Sequence, residues 1–115
     1  MKRILAMTLV LIFALALPAA AVLDFIDFDP SLSFSGGKAF CTLDIQGNNS
    51  DDEIEATVKL YYNNVVVGSW SDSGEGSLTV SGSCRANSGL TYTMKSTVYI
   101  NGVRQSVSDI TRTCP

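Results

Sequence analysis

From position 38 onward, apolar and polar residues alternate with a period of two. In Lys38–Gln46, Ala39, Cys41, Leu43 and Ile45 fall on one side, and Lys38, Phe40, Thr42, Asp44 and Gln46 on the other. Successive side chains of a strand point to opposite faces, so this is the pattern of a strand with one face buried. Glu53–Tyr62 repeats it, with Ile54, Ala56, Val58 and Leu60 inward and Glu53, Glu55, Thr57 and Lys59 outward. Residues 90–100 set Tyr92, Met94 and Val98 against Thr93, Lys95 and Thr97. Shorter runs at 31–35, 65–70, 77–81 and 103–111 predict four more strands. No segment after residue 21 has a helical period.

Turn chemistry separates the runs. Asn63-Asn64 and Asn101-Gly102 suit two-residue hairpins, which need positive φ at both central positions. Gly36-Gly37 closes the 31–35 run, and Pro30 ends a loosely alternating stretch at 22–30. About seven strands at this spacing predict an all-β domain over residues 31–115, an immunoglobulin-like antiparallel β-sandwich, with a small β-barrel as the alternative. Trp70 follows the first hairpin and so is not the buried tryptophan of antibody domains.

Residues 1–21 follow a different logic. Lys2-Arg3 precedes an uncharged apolar run at 4–17, and Pro18-Ala19-Ala20-Ala21 supplies small residues in an A-x-A order. This is the pattern of a cleaved secretory signal peptide, with the cut after Ala21 and no stable membrane insertion afterwards. Residues 22–30 then form an N-terminal segment. A secreted location is expected. Beyond the cut, six basic residues face eleven acidic ones, a net charge of −5. Nucleic acid and anionic lipid are disfavoured as partners.

Export also bears on the cysteines, because oxidising compartments favour disulfides. Three cysteines permit one internal bond and leave one thiol. In immunoglobulin strand order, Cys41, Cys84 and Cys114 gather at one pole. Cys41–Cys84 is the expected pairing and Cys84–Cys114 the alternative. Cys114 is then the candidate free thiol, able to link two chains as a dimer.

The sequence offers little catalytic chemistry. It has no histidine, which removes Ser-His-Asp and Cys-His nucleophiles. No C-x₂-C spacing marks a zinc site. Acidic clusters at Asp24, Asp27 and Asp29, and at Asp51, Asp52, Glu53 and Glu55, lack a calcium-loop motif and read as solvated turns. Phe40, Tyr61, Trp70 and Tyr99 are the candidate surface contacts, because exposed rings anchor proteins or stack on sugars. Tyr61 and Tyr99 end antiparallel strands, so they are expected at opposite ends of one sheet.

The runs SFSGGKAFCTLDIQG, GSW, GSLTVSG and SGLTYTMKSTVYINGV resemble a family of small secreted β-proteins from Gram-positive bacteria, classed as a domain of unknown function. The likeness covers most of residues 31–107. It implies export and a β-sandwich, and brings no catalytic residue. Three cysteines and few basic residues depart from it. The expected function is therefore a secreted, non-enzymatic binding or envelope-associated module without cofactors, its partner a protein or glycan. A secreted antibacterial or toxin-like effector is the alternative.

Overall fold

The computed structural model describes residues 26–115. The expected signal peptide, and residues 22–25 of the N-terminal segment, lie outside them. Eight strands follow in order: β1 (Asp27–Ser35), β2 (Lys38–Gln46), β3 (Glu53–Tyr62), β4 (Val65–Glu75), β5 (Ser77–Arg85), β6 (Thr91–Ile100), β7 (Val103–Gln105) and β8 (Ile110–Thr113). They build two antiparallel sheets. One has the order β1-β2-β5, and the other β4-β3-β6-β7 with β8 also paired to β6. The result is a sandwich rather than a closed barrel. In immunoglobulin lettering it is A-B-E against C′-C-F-G.

The alternating residues become the core. Leu32, Leu43, Ile54, Val58, Leu60, Met94 and Val98 are all almost fully buried between the sheets. Each such side chain contributes about 1.5–3 kcal/mol by leaving water. The hairpin turns take the expected conformations. Asn63 and Asn64 have φ of 55° and 66°, and Asn101 and Gly102 have 52° and 80°.

The structure moves four boundaries. β1 begins at Asp27, not at 31, because the register continues through Pro30 opposite Leu43. Pro30 is tolerated there because β1 is an edge strand. β4 runs on to Glu75 and β5 to Arg85. The Ser- and Gly-rich stretch at 71–75 reads as loop, yet its backbone completes the ladder opposite residues 53–57. The expected final strand at 103–111 is split. β7 pairs with Val98–Ile100, β8 pairs with Thr91–Met94, and residues 106–109 leave the sheet between them.

Trp70 reverses an expectation. It lies opposite Val58, an inward residue, and is half-buried against the core. A Cβ on Gly82 of β5 would strike its indole, and so would one on Gly68 of β4. The ring therefore occupies a slot between two glycines and closes the side of the sandwich where β4 and β5 part. Its ring thus packs toward the core instead of standing on the outer face.

Candidate functional site

The remaining aromatic candidates stay on the surface. Phe40 lies on the outer face of the three-stranded sheet between Ser33 and Ser83. Tyr61 and Tyr99 lie on the outer face of the five-stranded sheet, where Tyr61 is opposite Thr93 and Tyr99 opposite Glu55. They stand at opposite ends, as their strand positions predict.

The three cysteines occupy one pole but form no disulfide, and all are free thiols. Cys41 is paired with Gly82, and Cys84 with Ala39. The two cysteines are thus diagonal neighbours on the inner face. Diagonal Cα positions lie about 7–8 Å apart, beyond the usual disulfide span of about 4.4–6.8 Å. Burial pushes the Cys41 thiol up to about 12, with the Cys84 thiol adding to the shift. Burial raises Cys84 as well. Cys114 is also buried rather than presented at the surface. Its N–H donates to Leu90 O, and its carbonyl accepts from Gly89 N–H. A linked dimer through Cys114 would require that end to open.

The second acidic cluster is not a solvated turn at Asp52, which is only 5% exposed. Asp52 Oδ2 accepts from the N–H groups of Asn48 and Asn49, both at 2.9 Å. Asp52 Oδ1 accepts from Asn101 Nδ2 at 3.0 Å. Both oxygens are used internally. These donors, the Asn49 backbone first and the Asn101 amide next, hold the carboxyl below its ordinary range. Among the described residues no group of three His, Cys, Asp or Glu side chains is placed to hold a metal ion.

A wide concavity lies on the outer face of the five-stranded sheet, beside the break between β7 and β8. Two open depressions, of ≈ 690 and ≈ 630 Å³, adjoin here as a groove, with Tyr61, Lys95 and Asp109 at their shared border. Lys59 and Lys95 lie directly opposite each other in the β3–β6 ladder. Lys95 Nζ sits 5.4 Å from the centre of the Tyr61 ring, within reach of a cation–π attraction. One end of the groove carries Arg104 and Ser106, and the other the Asn63-Asn64 turn with Thr91 and Thr93.

The split strand makes this groove. Residues 95–97 of β6 have no ladder partner on that side, since β8 stops at Met94 and β7 begins at Val98. The detour at 106–109 anchors Val107 against the core and stands Asp109 beside Lys95 in the groove wall. The hydroxyl of Ser96 is buried without a hydrogen-bond partner at the same gap. Around the groove the sheet is stiffened by hydroxyl pairs: Thr57 with Ser71 at 2.8 Å, Thr91 with Thr113 at 2.8 Å and Thr93 with Thr111 at 3.0 Å.

Sequence reasoning singled out Tyr61 but missed Lys59, Lys95, Arg104 and Asp109. The alternation did place Lys59 and Lys95 outward. Their direct opposition needed the β3–β6 register, and the groove wall needed the break in the last strand. A search of protein families and of curated proteins finds no match to this chain.

Proposed function

We propose that the protein is a secreted, non-enzymatic binding module that engages a polymer of the cell envelope through the outer face of its five-stranded sheet. One observation carries this reading: two adjoining open depressions lie on that face and share Tyr61, Lys95 and Asp109. The groove is shallow and lined by side chains suited to holding a ligand in place. It pairs no nucleophile with a base, and the chain has no histidine to serve as one. A rigid ladder behind a half-exposed ring and several donors suits a recognition surface. The signal-like pattern at 1–21 supports export.

Cosedimentation with washed envelope material tests the proposal. The purified protein is expected to pellet with that material and to leave bacterial growth unaffected. Protein that stays in the supernatant overturns the reading. Growth inhibition by the purified protein would favour the effector alternative.

A further inference from the structure

We propose that the groove beside the split final strand binds an acidic polysaccharide, with Lys59, Lys95 and Arg104 holding its anionic groups and Tyr61 receiving a sugar face. The inference rests on the binding-module reading and names the ligand class for the same site.

Charge is the first argument. The chain beyond residue 21 is acidic, yet three of its six basic residues line this one groove. Like charges directly opposite in a sheet are unfavourable, and Lys59 faces Lys95. No carboxylate flanks the pair in the ladder. Thr57 and Tyr61 precede and follow Lys59 on its face, Thr93 and Thr97 do so for Lys95, and Ser69 lies across from Lys59 on β4. Asp109, on the groove wall, is the one carboxylate lining it among the described residues. An anionic group seated between the lysines turns their repulsion into attraction.

The other groups choose among anions. Lys95 Nζ lies over one face of the half-exposed Tyr61 ring, and the other face, apolar with a polar edge, suits the C–H face of a pyranose. The hydroxyls of Thr93 and Thr97, and the amides of Asn63 and Asn64, suit ring hydroxyls. The groove runs along the strands from the Asn63-Asn64 turn to Arg104, and its lining residues Thr91 to Thr97 alone span about 20 Å. A groove of that length fits a stretch of polymer better than a single sugar. A bilayer is flat and cannot enter it. Duplex nucleic acid would bring a dense line of charge toward Glu53, Glu55 and Glu75 on the same sheet.

Titration calorimetry with polygalacturonate tests the proposal, with neutral dextran and poly-L-glutamate as comparison probes. Polygalacturonate is expected to bind, and more weakly as salt rises. The double variant K59Q/K95Q is expected to lose about tenfold or more in affinity, as is Tyr61→Ala. Asp44→Asn, on the other sheet, should leave affinity unchanged. Circular dichroism and the melting midpoint establish that each variant is folded. Absent binding of polygalacturonate, or binding unaffected in K59Q/K95Q, overturns the proposal. So does poly-L-glutamate binding equally well with no effect of Tyr61→Ala, which would point to an acidic protein partner. If K59Q/K95Q still pellets with envelope material, the module reading survives and this site assignment fails. If the parent protein does not pellet either, both fail.

Discussion

At one end of the sandwich, Asp52 ties together three connections with polar atoms. Its carboxylate accepts from Asn48, Asn49 and Asn101, and its carbonyl accepts from Gly76 N–H at 2.9 Å. At the other end the closure is aromatic and thiol-rich. Tyr92 packs between Phe34 and Tyr62, with ring centres 5.8 and 5.6 Å away, and its hydroxyl accepts from Asn87 N–H. Cys41 and Cys114 are buried there too. The comparison shows one fold capping its two ends with opposite chemistry. The polar end depends on an ionised group staying charged. The thiol end depends on a group staying neutral.

Breaking the aromatic end has the largest expected effect. Tyr92→Ala removes a buried ring with partners on both sides and should cost about 3–5 kcal/mol, read from denaturant unfolding. Next is Gly82→Ala, directly opposite Cys41, where a methyl group meets the Trp70 indole. It should cost about 1–3 kcal/mol through overpacking. Adding Trp70→Phe should recover part of that loss, since the two sites share one space.

Acidity and alkalinity should then separate the two ends. Asp52 is held below its ordinary pKa of 3.8, so its contribution is present above that value and is lost as pH falls through the folded value. Cys41 is raised from 9.0 to about 12, so its contribution is complete below about 9 and is lost as pH climbs toward 12. Amide exchange should therefore quicken first at Asn48 and Asn49 in acid, and first at the 86–90 loop in alkali. Asp52→Asn should lower the melting midpoint at neutral pH and flatten its acid limb. The smallest effect is expected midway between the ends. Ser96→Ala removes a buried, unpartnered hydroxyl and should be neutral or stabilising by about 1 kcal/mol.

The strand core was legible because one face of each central strand is buried. Ala39, Cys41, Leu43 and Ile45 could satisfy only one register, and β2 and β3 fall where the alternation placed them. Edge strands were less legible. β4 pairs through its backbone while carrying Ser71, Ser73 and Gly74, so its side chains announce a loop that the hydrogen bonds overrule. Asp52 was misread because a short polar stretch looks the same whether its carboxylate faces water or three backbone and amide donors. The groove was the least legible feature. It arises where Ser106, Ser108 and Asp109 interrupt a strand whose flanking residues alternate normally, and from two lysines far apart in sequence meeting across a ladder.

Trp70 is the sole tryptophan of the chain, and it is wedged between backbones that belong to different sheets. Its ultraviolet emission is therefore a gauge of the gap between β4 and β5, free of interference from any other indole. A red shift that precedes the loss of strand signal would register the two layers parting at that seam while each is still intact.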